Sequence, residues 1–226
     1  MAELSGPRWG PASKGTARQL VVLCHGVGAD GHDLIDLAPR WAQALPDAVF
    51  VSPDGPAPYD MAPMGRQWFS LADRTPAVMQ AGARHAAPPL LAFVDAELAR
   101  LGLAADQVAL AGFSQGAMMA LYAGLRRRPA PRAIVAYSGA LLAGPTLAQD
   151  LAGRPPVLLV HGEQDEVVPA ALGRQAEQAL RAAGVPVEAL WCPGLGHGID
   201  EAGLSVGGLF LQRAFAAVPR GHDAEA

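Results

Sequence analysis

Charged residues are scarce in this sequence of 226 residues, and their scarcity excludes two classes of partner. Only 17% of the residues are charged, and the net charge is −4. Binding to nucleic acid or to an anionic lipid surface requires clusters of lysine and arginine, which this composition does not supply. We expect no nucleic-acid partner. We also expect no stable membrane insertion, because no run reaches the ~18 apolar residues that span a bilayer.

Cysteines are also few, and no targeting signal is recognisable. Cys24 and Cys192, the only two, lie far apart in apolar surroundings. This spacing favours neither a disulfide framework nor a metal cluster. Residues 1–15 lack the basic start and the apolar core of a signal peptide. We therefore expect buried free thiols, no bound metal and a cytoplasmic location.

Short apolar runs alternate with longer helical segments along the chain. Hydrophobic residues make up 51% of the sequence, and near-continuous apolar runs are typical of strands covered on both faces. Strands are predicted at 19–24, 48–52, 107–112, 133–138, 156–162 and 186–192. Helices are predicted at 33–44, 88–101, 115–127, 170–183 and 202–217.

This alternation predicts an α/β fold with a mostly parallel sheet and helices on both faces. The length suits one domain over residues 1–226, with a core at about 17–217 and a flexible tail at 218–226. Residues 138–155 are too few for a separate lid domain. Functional groups in such sheets collect beyond the carboxyl ends of the strands, so candidate catalytic residues should follow strand ends.

The stretch "GFSQG" at 112–116 places Ser114 where a predicted strand meets a predicted helix. A nucleophile elbow needs this order of strand, sharp turn and helix, with a glycine two positions before and two positions after the serine. The alternative is a serine that only caps the helix N-terminus. Partner residues elsewhere in the chain decide between the two readings.

An acid and a base follow Ser114 in the order that such hydrolases use. Asp165 comes directly after the predicted strand at 156–162, and His197 follows the one at 186–192. Glu163 and Glu166 are local competitors for the acid, and Asp200 is a weaker one. The other histidines fit the base role poorly by position: His25, His32, His85, His161 and His222.

A glycine-rich loop follows the first predicted strand, in "CHGVGADG" at 24–31. Together with the start of the helix after Ser114, it offers backbone N–H groups for an oxyanion hole. We expect the two donors to be the amides of Val27 and Gln115. A phosphate-binding loop at Gly26, Gly28 and Gly31 is the alternative, but it leaves the serine, the acid and the base unexplained.

Four motifs in this order, "LCHGVGADGHDL", "GFSQGA", "HGEQDEVVP" and "GLGHGID", resemble the phospholipase/carboxylesterase family of small α/β-hydrolases, which includes the acyl-protein thioesterases. The resemblance covers residues 17–217. It implies an α/β-hydrolase fold, no cofactor and a homodimer. It also implies a catalytic triad of Ser114, Asp165 and His197, with Val27 and Gln115 at the oxyanion hole.

The sequence departs from the family pattern at two positions. Cys24 stands where leucine is common, and Ser70 stands where an aspartate often follows the Trp-Phe pair. The second departure lies in residues 53–88, which contain no clear core element and are apolar for a loop. We expect this segment to form the wall of an acyl pocket, from Met64, Trp68, Phe69 and Leu71. The alternative is that these apolar residues pack against the hydrophobic core.

These observations predict a serine carboxylesterase for small to medium acyl esters, acting through an acyl-enzyme on Ser114. The substrate is a small-molecule ester or thioester. An acyl-protein thioesterase or lysophospholipase activity is the alternative within enzymes. Outside enzymes, the alternative is a catalytically silent hydrolase fold that only binds ligands.

Overall fold

The computed structural model describes residues 3–143 and 147–217 of the chain. Nine strands lie within these ranges: β1 (Arg8–Trp9), β2 (Gln19–Cys24), β3 (Ala48–Val51), β4 (Ala57–Pro58), β5 (Arg66–Gln67), β6 (Val108–Phe113), β7 (Ala133–Tyr137), β8 (Val157–Gly162) and β9 (Val187–Cys192). The same ranges contain seven helices: α1 (Gly31–Ile35), α2 (Ala38–Trp41), α3 (Pro76–Leu101), α4 (Gln115–Gly124), α5 (Leu147–Asp150), α6 (Ala170–Ala182) and α7 (Glu201–Ala216).

Seven of the strands form one sheet, in the spatial order β1-β3-β2-β6-β7-β8-β9. Strand β1 is antiparallel to its neighbour, and the other six strands are parallel. Every residue of β3, β7 and β8 is buried, as expected for strands covered on both faces. The prediction of a mostly parallel sheet is confirmed.

Helices cover both faces of the sheet, which confirms the predicted layers. Helices α3, α4 and α6 bury their apolar side chains against one face. Helices α1, α2 and α7 pack on the other, where Trp41 lies against the glycines of α7. The carboxyl ends of the parallel strands are left to loops, so one edge of the sheet can gather side chains from distant parts of the chain.

The prediction that residues 53–88 contain no clear core element was wrong, because the third helix begins at Pro76 and not at residue 88. Proline at the first helical position is favourable, and an alanine-rich sequence follows it. Pro88 and Pro89 lie inside this helix, although interior prolines usually end one. The N–H groups they lack would bond to the carbonyls of Arg84 and His85, which are both exposed residues. The rest of the segment holds the β4–β5 hairpin.

Other departures concern short elements. The helix predicted at 33–44 is two short helices, α1 and α2. Residues 138–155 contain helix α5, and strand β1 precedes the predicted core. Elements of two to five residues are too short to show a periodic pattern. The tail predicted at 218–226 lies outside the described residues.

The described part of the chain contains neither a membrane-spanning helix nor a cluster of metal-ligating side chains. No helix there is long and apolar enough to cross a membrane. No group of three or more histidine, cysteine, aspartate or glutamate side chains there is arranged to hold a metal ion.

A buried carboxylate ties strand β1 to helix α3. Glu97 has a side chain only 5% exposed and forms ion pairs with Arg8 and Arg100, both about half exposed. Burial raises the pKa of Glu97, but the hydrogen bonds from the two arginines outweigh this effect and hold the pKa below its usual value. The folded state therefore favours the charged form of Glu97.

We expect Glu97→Gln to lower the free energy of unfolding by about 1 kcal/mol at neutral pH, because both arginines remain hydrated when the charge is lost. A carboxylate with a depressed folded pKa stabilises the fold above its unfolded pKa of about 4.3 and loses that contribution as the pH falls. In urea unfolding, the difference in the free energy of unfolding between wild type and variant should decrease below this pH. A difference that stays constant with pH would contradict the ion-pair explanation.

Candidate active site

Ser114 occupies a strained turn between strand β6 and helix α4. Its backbone angles are φ 55° and ψ −119°, a region that residues with a side chain rarely adopt. The residue is buried, and its amide donates to the carbonyl of Tyr137 on the neighbouring strand. This is the geometry of a nucleophile elbow. The serine makes no side-chain bond that caps the helix, unlike an ordinary N-cap serine.

The two glycines of "GFSQG" permit the close packing that the turn requires. A Cβ on Gly112 would lie 2.3 Å from the carbonyl oxygen of Gly116, and a Cβ on Gly116 would lie 1.9 Å from that of Cys24. Both distances are far shorter than a van der Waals contact. The start of α4 therefore lies directly against strands β6 and β2.

We expect Gly116→Ala to cost about 3 kcal/mol or more, because the obstructing atoms are backbone and can yield only if the helix shifts. Gly198→Ala is the matched control, since a Cβ there meets nothing within 4 Å, and we expect it to change stability by less than about 0.5 kcal/mol. Denaturant unfolding measures both variants. Equal stability of the two would contradict the packing described for the elbow.

Asp165 and His197 are brought together beyond the carboxyl ends of strands β8 and β9. The His197 Nδ1 atom lies 2.7 Å from the Asp165 Oδ2 atom, and the carboxylate dictates that Nδ1 donates. The other oxygen, Oδ1, accepts the N–H groups of Val167 and Val168 at 2.9 Å each. Backbone and histidine together therefore fix the carboxylate in one orientation.

Asp165 is held in its charged form. Burial raises the pKa of this carboxyl, but the hydrogen bonds from His197 and from the amides of Val168 and Val167 outweigh burial, and the pKa lies below its usual value. A charged acid can orient the imidazole and stabilise its protonated form. The ring of His197 also packs on Phe113, with 4.7 Å between the centroids, and Phe113 directly precedes Ser114.

The competing residues have other contacts. Glu163 is exposed and pairs with Arg174, and Glu166 is exposed. Asp200 accepts from the amide of Gly203 and caps helix α7. His161 is buried on strand β8, with Nε2 donating to the carbonyl of Val168 and lying 3.3 Å from the Asp165 carboxylate.

The loop after strand β2 lies against the elbow. A Cβ on Gly26 would lie 3.5 Å from the Cβ of Ser114. The loop is tied to the hairpin, because the amide of Gly28 donates to the carbonyl of Arg66 and the amide of Arg66 donates to that of Ala29. The phosphate-loop alternative loses support, since Gly31 is required by packing: its Cβ would lie 2.0 Å from the carbonyl oxygen of Ser52.

A pocket of about 520 Å³ lies between the hairpin, the segment after it and helix α3. It is lined by Pro56, Ala57, Gln67, Trp68, Phe69, Ser70, Gly82, His85, Ala86 and Pro89. The expectation that Trp68 and Phe69 line a pocket therefore agrees with the structure. The same expectation was wrong for two residues: Met64 is 80% exposed, and Leu71 packs on the hydrophobic core.

The side chain of Gln115 ties the backbone of two pocket-lining residues to the start of helix α4, a role that the sequence did not reveal. Its Oε1 atom accepts the amide of Trp68 at 2.9 Å, and its Nε2 atom donates to the carbonyl of Phe69 at 2.7 Å. Gln115 is fully buried. A buried side-chain amide needs a donor for its oxygen and an acceptor for its NH₂ group. The position of this glutamine, directly after Ser114, is the only sequence feature that could have indicated these bonds.

The parallel sheet, its helical layers and the elbow serine at the carboxyl edge define the α/β-hydrolase fold. Solved structures agree. The crystal structure of esterase PE8 is 42% identical and superposes with a TM-score of 0.88, covering 94% of this chain and all of that one. The Bacillus cereus carboxylesterase has a TM-score of 0.79 over 95% of this chain and 96% of that one, and at 19% identity it supports the fold alone.

The chain belongs to the phospholipase/carboxylesterase family, whose sequence profile matches residues 11–213. Esterase YpfH of Escherichia coli is 33% identical over 185 residues, covering 82% of this chain and 78% of that protein. Acyl-protein thioesterase 1 of Gibberella zeae is 28% identical over 211 residues, covering 82% of this chain and 85% of that protein. The family resemblance noted in the sequence is confirmed.

Proposed function

We propose that this protein is a serine carboxylesterase that hydrolyses esters of small to medium acyl groups. The observation that carries the proposal is the hydrogen bond from His197 to Asp165 beside a serine in a strained turn. Membership of a family with esterase relatives supports the same reaction class. In this proposal Ser114, Asp165 and His197 form the catalytic triad, and no cofactor takes part.

The bonds of His197 define its part in the first step. Because Nδ1 donates to Asp165, the neutral ring has its free lone pair on Nε2. Nε2 accepts the proton of the Ser114 hydroxyl as Oγ attacks the ester carbonyl carbon. The imidazolium that results is stabilised by the carboxylate.

The tetrahedral oxyanion formed by this attack accepts hydrogen bonds from the backbone amides of Val27 and Gln115. His197 then passes its proton to the departing alcohol, which leaves the acyl group on Ser114. A water molecule, deprotonated by His197, attacks the acyl-enzyme in the same way. The products are the free acid and the regenerated serine.

The pocket beside Trp68 and Phe69 is our candidate for the acyl-binding site. Its apolar walls suit a hydrocarbon chain, and its volume lies within the range of small-molecule sites. Gln115 supports the proposal, because its backbone amide serves the oxyanion while its side chain holds the pocket wall. The chain-length preference should therefore depend on this pocket.

Hydrolysis of a series of p-nitrophenyl esters with increasing chain length, with Ser114→Ala as control, tests the proposed activity. We expect hydrolysis by wild type, a rate that peaks at short or medium chains, and none above background with the variant. Hydrolysis that survives in the variant would contradict the assigned nucleophile. A wild type inactive on every ester would favour the silent, ligand-binding alternative.

Filling the pocket should change the chain-length profile. We expect Ala57→Phe to raise KM for hexanoate esters about tenfold, the loss that a displaced medium chain entails, and to leave acetate esters unaffected. Ala62→Phe, at an exposed position of the same hairpin, is the matched control. An equal change for both ester lengths would place the acyl chain elsewhere.

A second candidate activity is hydrolysis of thioesters on acylated proteins or of lysophospholipids, which the likeness to acyl-protein thioesterase 1 favours. Comparing kcat/KM for an oxyester and a thioester with the same acyl group separates the two. One domain over residues 1–226, a homodimer and a cytoplasmic location also remain proposals. The buried free thiols of Cys24 and Cys192 support the location.

A further inference from the structure

A buried histidine at the end of strand β2 has both ring nitrogens hydrogen-bonded. His25 Nδ1 lies 2.7 Å from the carbonyl oxygen of Gly26, and Nε2 lies 2.8 Å from the amide nitrogen of Gly55. A carbonyl only accepts and an amide N–H only donates. Nδ1 therefore carries the proton, Nε2 accepts, and the ring is neutral.

The surroundings keep His25 in this neutral form. The residue is fully buried, and burial lowers the pKa of His25, although its hydrogen bond to Gly26 and the carboxylates of Asp54, Asp30 and Asp33 oppose this effect. Protonation would turn Nε2 into a second donor facing the amide of Gly55 and break that bond.

The carbonyl that His25 holds belongs to the peptide group whose N–H is that of Val27. A peptide group is planar and trans, so its C=O and N–H point in opposite directions. Because the Gly26 carbonyl is held against the imidazole of His25, the Val27 N–H must point away from the imidazole. The amide of Ala29 also donates to this carbonyl, at a longer 3.3 Å.

We propose that His25 is a positioning residue that aims the Val27 N–H at the oxyanion formed beside Ser114. This inference rests on the proposed esterase function. His25 does not touch the substrate; it connects the oxyanion loop to the segment at Gly55, whose carbonyl is held by the Arg66 side chain. Its own carbonyl accepts the indole N–H of Trp68 at 3.0 Å.

The test compares two substitutions that separate the two bonds of the ring. In His25→Asn the amide nitrogen lies the same number of bonds from Cα as Nδ1, so it can still donate to Gly26. In His25→Gln the side-chain amide is one bond longer, so its oxygen can reach the position of Nε2. There it can accept the N–H of Gly55, but no donor remains for the carbonyl of Gly26. His25→Leu removes both bonds, and His32→Ala, at an exposed histidine, is the control.

Losing one oxyanion donor costs about 10²–10³ in kcat, and a misaimed donor should cost part of that. We expect kcat of the Leu and Gln variants to fall about 10- to 100-fold, with KM within about twofold of wild type. The Asn variant should recover most of kcat. The loss should be equal for acetate and hexanoate esters, because every substrate forms the same oxyanion, whereas a disturbed pocket wall at Trp68 would affect long chains more.

Two outcomes would overturn the inference. One is a Gln variant with kcat within about twofold of wild type, the range of a surface substitution. The other is an equal decrease of kcat in the Asn and Gln variants, in proportion to their decrease in thermal stability. That result would mean that His25 has a purely structural role. The Asn–Gln comparison decides even where the Leu variant does not fold. Fluorophosphonate labelling of wild-type Ser114 separates failure of this inference from failure of the proposed function, because only the latter abolishes labelling.

Discussion

Replacing Ser114 with alanine should reduce kcat for ester hydrolysis by a factor on the order of 10⁴ to 10⁶, because the proposed mechanism then lacks its attacking oxygen. Steady-state kinetics on a p-nitrophenyl ester measures the loss. A decrease of less than tenfold would exclude Ser114 as the nucleophile.

The same position should reveal the strain that the turn stores. Ser114→Ala keeps the unfavourable backbone angles, whereas Ser114→Gly adopts them readily. Allowing for the greater flexibility of unfolded glycine, we expect Ser114→Gly to be more stable than Ser114→Ala by about 1 kcal/mol. Both variants should be inactive. Equal stabilities would contradict a strained elbow.

Asp165→Asn should reduce kcat by about 10³ to 10⁴ without preventing folding. The amides of Val167 and Val168 occupy one oxygen of Asp165, so an asparagine should keep its oxygen there and present its NH₂ group to His197. His197 Nδ1 must then accept, which places the ring proton on Nε2. In that tautomer the ring cannot take the proton of Ser114.

Two nearby carboxylates provide the controls for this prediction. Glu163→Gln and Glu166→Gln change exposed residues next to Asp165 in sequence, and we expect both to keep kcat within about twofold of wild type. The kinetics of all three variants on one ester decide the comparison. A large loss in Glu163→Gln or Glu166→Gln, with activity retained in Asp165→Asn, would reassign the acid.

The sequence predicted the sheet well because its central strands are buried on both faces. The runs containing β2, β7 and β8 are nearly continuously apolar, and each predicted end lies within a residue of the observed one. Because parallel strands end at one edge, the order of Ser114, Asp165 and His197 after such runs could be translated into proximity. The pairing of Asp165 with His197 was predictable on that basis.

The pocket was harder to predict because it depends on contacts between irregular segments. Met64 and Trp68 are both apolar and only four positions apart in the chain, yet one is exposed and the other buried. The Gln115 side chain accepts the backbone amide of Trp68, and the carbonyl of His25 accepts its indole N–H. The tandem prolines concealed the first half of α3, the other wall of the pocket. No local sequence pattern predicts the burial of Trp68 or the start of helix α3 at Pro76.

The most direct test of the proposed mechanism is to identify the residue that carries the acyl group. Wild-type protein is mixed with a p-nitrophenyl ester, quenched in acid before turnover is complete, digested and analysed by mass spectrometry. We predict one acyl group on the peptide that contains Ser114, and none in Ser114→Ala. An acyl group on another residue, or hydrolysis by Ser114→Ala at the wild-type rate, would contradict the proposed mechanism.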